Sequence, residues 1–284
     1  MEILNPYKYF LFISFVLFTY GCQRNIDLRG TISSTDNANE RFAQSLEWNN
    51  ENPPKTIQVN TDDYSILVSG DSHLGGTENL KRVLDSAAMP EISAYFLSGD
   101  NTTGHVADYE VLKQLLDDAD SVKSFPIAGN HDLFFDGWKS FFSLFGSSTF
   151  EVIIQTPTSS DLFICLDTGG ATLGDKQLDW LRNILKTRRE LFRNCIFITH
   201  NNFIRNHYTG STNLRNEEMI VLLDLFAEFH VNALIAGHDH TRNEDHFGVT
   251  DYITLDALQD GDDRASYLKV SFRNGTPEHE FIKL

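Results

Sequence analysis

The stretch "FPIAGNHD", Phe125–Asp132, decides how this chain is read. It opens as a buried strand, with apolar Phe125, Ile127 and Ala128, and closes on a glycine and three polar groups, Asn130, His131 and Asp132. Gly-Asn and His-Asp are also ordinary turn chemistry, so the segment says little by itself. Its weight comes from other apolar runs that end the same way. "YSILVSG" leads into Asp71-Ser72-His73, and "AYFLSG" into Asp100-Asn101. "CIFIT" leads into His200-Asn201-Asn202, and "VNALIAG" into His238-Asp239-His240. Five runs end in metal-type ligands, and in four of them a glycine comes just before the ligands.

Working outward, short apolar runs at Tyr64–Ser69, Ala94–Ser98, Phe125–Ala128, Leu162–Leu166, Cys195–Thr199 and Val231–Ala236 read as strands. Stretches with helical period lie between them: Leu112, Leu115, Leu116 and Ala119; Leu178, Leu181 and Leu185, with Asp175 as N-cap; and Leu222, Leu225, Phe226 and Phe229. Strands alternating with helices imply a layered α/β domain. The tail is strand-like without helices, at Tyr252–Leu255, Tyr267–Phe272 and Glu280–Lys283, and suits an antiparallel edge or a second sheet. The 284 residues, 41% hydrophobic and 22% charged, are enough for a sizeable core in one large domain or at most two.

The strand ends carry the chemistry. In open α/β sheets, functional groups collect at the carboxyl ends of strands. Carboxylates and imidazoles crowded into one cleft are costly unless a cation joins them, and the glycines let the backbone turn sharply and come close. Asp71 and His73 are spaced i and i+2, as are His238 and His240, so in an extended segment each pair points one way. His, Asp and Asn suit Mn, Fe or Zn. Six to seven such ligands exceed the four of a tetrahedral zinc site. They suit two ions about 3.5–4 Å apart, an arrangement used to hydrolyse phosphate esters.

In this order, D-x-H, G-D, G-N-H-D, H and G-H-x-H, the blocks resemble those of calcineurin-like metallophosphoesterases, from Asp71 to His240. The resemblance implies a layered β-sheet sandwich flanked by helices and a phosphate mono- or diester hydrolase in which a metal-bound hydroxide attacks phosphorus. It implies that Asp71, His73 and His240 hold one metal, that Asn130, His200 and His238 hold the other, and that Asp100 bridges the two. His131 is then the catalytic residue over the substrate phosphate, and Asp132 braces its loop. "LDTGG", Asp167–Gly170, and "LGDKQLDWL" also look like family features, with Asp167 a structural loop residue. Thr102-Thr103-Gly104 stands where many members have a carboxylate or Tyr. The missing Tyr argues against a purple acid phosphatase, and the missing carboxylate removes an acidic partner for His131. Substrate contacts are unassigned; His105, Phe134, Phe135, Trp138, Arg205, His207 and Tyr208 lie in loops between the blocks. "DGWKSFFSLFG" reads as a helix over the site entrance or as a buried one.

The amino-terminal residues read differently. Lys8, an apolar run from Tyr9 to Tyr20 and then Gly21-Cys22 have the layout of an export signal. The run is too short to span a bilayer comfortably. A cysteine at the cut resembles a bacterial lipoprotein signal, with residues 1–21 removed and Cys22 lipidated, which implies an exported protein held at the cell envelope by a membrane anchor. Thr19, Tyr20 and Glu2 depart from that pattern. Residues 22–63 are polar and Asn-rich and read as a tether or loosely packed arm, leaving 64–284 as the catalytic domain. Cys165 and Cys195 sit in apolar runs and read as free buried thiols, with a bridge still open.

The net charge of −17 argues against nucleic acid as a partner, since phosphate backbones are held by basic patches. That disfavours an extracellular nuclease. A non-catalytic envelope protein binding phosphate or metal on the same fold is a further alternative, and the G-N-H-D and G-H-x-H blocks disfavour an amidohydrolase.

Overall fold

The computed structural model describes residues 34–53, 55–204 and 212–284. Cys22 and the leader, and the loop residues Arg205, His207 and Tyr208, lie outside the described residues. No helix among the described residues is long and apolar enough to cross a membrane.

Two mixed sheets stack face to face between layers of helices. The five-stranded sheet contains β2 (Tyr64–Ser69), β3 (Ile92–Leu97), β4 (Ser124–Pro126), β11 (Ser266–Arg273) and β12 (Thr276–Lys283), in the order β12-β11-β2-β3-β4. The seven-stranded sheet contains β1 (Lys55–Gln58), β5 (Phe150–Gln155), β6 (Ser160–Cys165), β7 (Cys195–Thr199), β8 (Ala233–Ala236), β9 (Asn243–Phe247) and β10 (Thr250–Thr254), in the order β1-β5-β6-β7-β8-β10-β9. β2-β3-β4 and β6-β7-β8 are parallel runs, so their carboxyl ends lie on one edge of each sheet. Ile66, Val68, Phe96, Phe163, Ile196, Ile198 and Ile235 fill the space between the sheets. The alternate residues face helices. Leu67, Tyr95 and Leu97 pack under α2 (Glu78–Ala87) and α3 (Val106–Asp118). Leu162, Ile164, Phe197 and Leu234 pack under α5 (Gly174–Arg188) and α6 (Asn216–Glu228). Because both faces are covered, the central strands β3, β7 and β8 read as nearly continuous apolar runs instead of alternating. The period of two also separates the thiols: Cys165 faces the other sheet and Cys195 faces the helices, and both are free and buried.

Residues 34–58 correct the expectation of an arm. They form α1 (Ala38–Glu51) and β1, which pairs with β5 in parallel. α1 opens with a capping box in which Asn37 and Glu40 satisfy each other's backbone N–H groups. It buries Ala38, Arg41, Phe42 and Ser45, with Phe42 5.9 Å from Trp180 of α5. α1 also caps α5. Asn39 Oδ1 accepts the Lys176 N–H at 3.0 Å, so Asp175 is not the N-cap but a first-turn acid. "DGWKSFFSLFG" forms α4 (Trp138–Phe145), whose Trp138 and Phe141 are buried against Tyr109 and Leu133, not laid over an entrance.

Candidate metal centre

The carboxyl ends of β2, β3, β4, β7 and β8 deliver Asp71, His73, Asp100, Asn130, His131, His200, His238 and His240 to one cleft between the two sheets. Asp100 Oδ2 lies 3.3 Å from His200 Nε2 and 3.9 Å from both His73 Nε2 and His131 Nε2. Asp71 Oδ1 is 3.2 Å from His240 Nε2 and 3.9 Å from His73 Nε2. Asn130 Oδ1 lies 3.0 Å from His200 Nε2, and His238 Nδ1 lies 3.1 Å from the same nitrogen. Three groups gather ligand atoms within 4.8 Å of one another: Asp71–His73–His240, Asp100–His200–His238 and His73–Asp100–His131. The first two follow the partition suggested by the sequence motifs. The third brings His131 into reach as well.

Backbone conformation differs from the extended pairs inferred from the i, i+2 spacing. Asp71, His73, Asp100, His238 and His240 all have positive φ, between 39° and 74°. The chain turns out of the strand at each ligand, and that turn, not strand alternation, aims both members of a pair at one place. Close packing does the rest. A Cβ at Gly99 would sit 2.7 Å from His200 Nδ1 and 2.8 Å from the Gly129 backbone, so only glycine lets these loops touch.

Each ligand is held from behind. His200 is fully buried, and its Nδ1 donates to the Ser98 carbonyl at 3.0 Å, which turns Nε2 toward the cleft. Its backbone N–H, with that of Asn201, donates to Thr168 Oγ1 at 3.0 and 2.9 Å. The His238 N–H donates to Asp71 Oδ2 at 2.8 Å, and the His131 N–H to Asp100 Oδ1 at 2.7 Å. Asp132 is buried and turned away from the ligands. It accepts from Gly129, Asn101 and Thr102, so it braces the loops of β3 and β4 together. Thr102 occupies the place of an acid by bonding to this brace. His131 is oriented by packing, edge-on to His73 at 4.5 Å and tilted against Phe134 at 4.7 Å.

One support was not evident in the sequence. Asp167 is confirmed as a structural residue, but its partner is Arg41 of α1: Nε reaches Oδ2 at 2.7 Å and Nη2 reaches Oδ1 at 3.3 Å, with both side chains buried. This pair fixes the loop that carries Thr168 and hence His200. Signals for α1 were present in the Asn37–Glu40 capping box and the Ala38–Phe42 spacing.

The electrostatics fit cations. Burial alone pushes the Asp71 and Asp100 carboxyls up, but the surrounding histidines outweigh it and hold both below the usual carboxylate range. Burial works against charge on His200, yet Asp100, with Asp71 and the Ser98 carbonyl, lifts its imidazole to about 9. The hydrogen bond to Asp71 raises His240, whereas burial lowers His73 against the pull of Asp100 and Asp71. Burial, then the charge on Asp100, raise Asp132 to about 6. Protons thus balance the crowded carboxylates where cations could. Asp71 Oδ1 is buried and faces imidazole nitrogens, His240 Nε2 at 3.2 Å and His73 Nε2 at 3.9 Å. A buried carboxylate oxygen beside imidazole nitrogens that face each other at 3.1 Å fits a pair of divalent ions. The cleft opens on one side: His200 is sealed, whereas the His131 and His240 side chains are 40% exposed.

Of the loop residues singled out in the sequence, His105, Phe134 and Phe135 border the open side. Trp138 is core.

Comparison with known proteins agrees with this architecture. An anchor protein of the inner membrane complex of Plasmodium is similar over 78% of this chain and 84% of its own, with TM-score 0.58 and 12% identity. A dimetal phosphatase from Danio rerio is similar over 78% and 98%, with TM-score 0.56 and 14% identity. A 5'-nucleotidase from Staphylococcus aureus gives TM-score 0.52 at 12% identity, and the similarity covers 53% of that longer chain. At these identities the likeness is one of fold. No curated protein matches. The family model for calcineurin-like phosphoesterases matches residues 64–242, which takes in all eight clustered side chains and more than half of the chain. The chain therefore belongs to the calcineurin-like phosphoesterase family.

Proposed function

We propose that this protein hydrolyses a phosphate mono- or diester with two divalent ions, Mn, Fe or Zn. One observation carries the reading: Asp100 lies within 3.9 Å of histidines from both ligand groups, where a shared carboxylate would serve two ions. Asp71, His73 and His240 would hold one ion, and Asn130, His200 and His238 the other. When bound, such ions polarise phosphoryl oxygens and lower the pKa of water. The chain's own groups do the rest. Asp100 and Asp71 place negative charge between the histidines and would hold the ions there. His131, packed on Phe134 at the open edge, would donate a proton to the leaving oxygen or steady a phosphoryl oxygen. Asp132 and Thr102 hold that loop against the β3 loop, so His131 does not drift from Asp100.

The test is turnover of p-nitrophenyl phosphate and bis-p-nitrophenyl phosphate by protein loaded in turn with each ion, with metal content measured alongside. Asp100→Asn is expected to remove metal and activity together. Full metal content with wild-type turnover in that variant would refute the bridging role. Metal binding with no turnover of any ester by the wild type would favour a non-catalytic binding protein.

We also propose export and lipid anchorage at Cys22, on the sequence of the leader alone. Mass spectrometry of the amino-terminal peptide from membranes tests this. A free Cys22 thiol or a retained leader would overturn it.

A further inference from the structure

We propose that Phe135 and His105 form a stacking platform for a planar aromatic or heteroaromatic group carried by the substrate. The proposal rests on the phosphoesterase reading and adds a substrate class to it. Phe135 is 69% exposed, and its backbone has φ +56°, followed by Asp136 at φ +62°. Two consecutive left-handed residues, one of them a bulky aromatic, are costly and persist only where the surroundings impose them. Here the surroundings do. Asp136 accepts from the Thr35 N–H and hydroxyl at 3.1 and 3.0 Å and pairs with Lys139, and the Gly137 N–H donates to the Phe134 carbonyl at 2.9 Å. A loop that served only to cover the core would turn this ring inward; this one pins it outward.

The exposed ring is not isolated. His105 stacks on it at 4.4 Å with 14° between planes, and His105 and Val106 are themselves exposed. The loops are locked together, since a Cβ at Gly104 would sit 2.8 Å from the His131 carbonyl and 2.7 Å from that of Phe134. Rings then lead outward in series from the ligand cluster: His73 to His131 at 4.5 Å, His131 to Phe134 at 4.7 Å, and Phe134 to Phe135 at 6.4 Å. A phosphoester seated at the ligand cluster would extend its organic part along this series. The exposed part of the Phe135–His105 pair would receive it. Flat π-faces stack on such rings with little regard to their hydrogen-bonding edges.

The probes are adenosine 5'-monophosphate and ribose 5-phosphate, which both release phosphate from a primary ribose 5'-oxygen and differ by the base. With metal-loaded protein, kcat/KM is expected to favour the nucleotide, and Phe135→Ala to lower that ratio about tenfold. Phe135→Gly is expected to lower it equally while melting above Phe135→Ala, because glycine takes this φ without strain. That split separates loss of a stacking surface from loss of fold. A ratio unchanged in both variants overturns the proposal, as does a wild type with no preference. If neither ester is hydrolysed, turnover of the p-nitrophenyl mono- and diesters decides the hydrolase reading separately, and the platform is tested by the same comparison made with dissociation constants. A Phe135-dependent preference there keeps the platform, and equal constants remove it.

Discussion

Replacing Arg41 by Met tests whether α1 supports the ligand cluster. The side chain is fully buried, and Asp167 is 1% exposed. Besides its two bonds to Asp167, Arg41 donates through Nη1 to the Asp36 carbonyl at 2.9 Å and lies 6.0 Å from the Trp138 ring centroid. Without the guanidinium, the Asp167 carboxylate keeps, among the described residues, a donor only in the Gly169 N–H at 3.2 Å. Removing one partner of a buried pair costs about 3–5 kcal/mol, because the other charge is left uncompensated. For a domain of this size each kcal/mol lowers Tm by about 2–4 °C, so Arg41→Met is expected to melt roughly 10 °C below wild type. Adding Asp167→Asn removes the orphaned charge and is expected to restore most of that loss, since neutral replacements for buried pairs are well tolerated. Circular dichroism melts of the two single variants and the double variant decide the matter. A second readout follows the loop. Thr168 Oγ1 accepts the His200 N–H, so slack at Asp167 is expected to weaken metal binding about tenfold in titration calorimetry at a temperature where the variant is folded. An Arg41→Met melt within 2 °C of wild type would refute the anchoring argument. Equal depression in the single and double variants would locate the loss elsewhere than in the pair.

His131→Ala is expected to retain both metals, measured by elemental analysis, and to lose about 10²–10⁴-fold in kcat; loss of metal would reassign His131 as a ligand. Treatment with a chelator is expected to lower Tm, because an ion held at a thousand times its Kd adds about 4 kcal/mol to the folded state. Calorimetry with and without chelator measures this, and identical melts would count against a bound ion. Glu218 supplies a pH test remote from the ligands. Burial raises its carboxyl despite the bond from the Leu173 N–H, and Oε2 has no partner. Its folded form therefore holds a proton that the unfolded chain releases, so stability falls as pH climbs above the ordinary value of 4.5. Glu218→Gln is expected to flatten that fall and to melt higher at pH 7; a steeper fall would show that the charged form is the stabilised one.

The ligand cluster was legible in the sequence because each ligand follows an apolar run whose two faces are covered. In β2, Ile66 and Val68 face the other sheet while Leu67 faces helices, so the run reads as continuous and stops sharply at Gly70-Asp71. Residues 34–58 carried only local signals, the Asn37–Glu40 capping box and the Ala38–Phe42 spacing, for the opposite reason. The buried positions of α1 include Arg41 and Ser45 beside Ala38 and Phe42, and β1 buries only Ile57. Its anchors are polar: Trp138 Nε1 donates to Gln44 at 2.8 Å, and Asn49 Nδ2 to the Thr149 carbonyl at 2.6 Å. Pairing of this kind has no periodic signature, and a composition rich in Asn and Glu resembles a solvated arm. β9, with its exposed polar residues at the sheet edge, escaped notice in the same way.

The left-handed turns at five of the ligands follow from what a parallel strand end must do. β2, β3 and β8 run into the cleft with apolar side chains committed to the two faces of their sheets. A polar group that points along the strand axis, toward the opposite sheet's ligands, needs the chain to leave its pleat within a residue. The αL conformation does this at Asp71, Asp100 and His238, immediately after the glycine in each case. The glycine does not take up the strain itself at Gly70 or Gly237; it clears space for the neighbouring loop, and the ligand carries the positive φ. Such conformations hold where the surroundings leave no alternative. Here the ladders on both sides of β2 and β3, and the Leu258 N–H bonded to the Gly70 carbonyl at 3.0 Å, fix the strand ends before the turn begins. Rigidity at the strand end and strain at the ligand are therefore one device. It presents carboxylates and imidazoles to each other at distances that protons or cations must balance, and it prevents the repulsion from being relieved by moving apart.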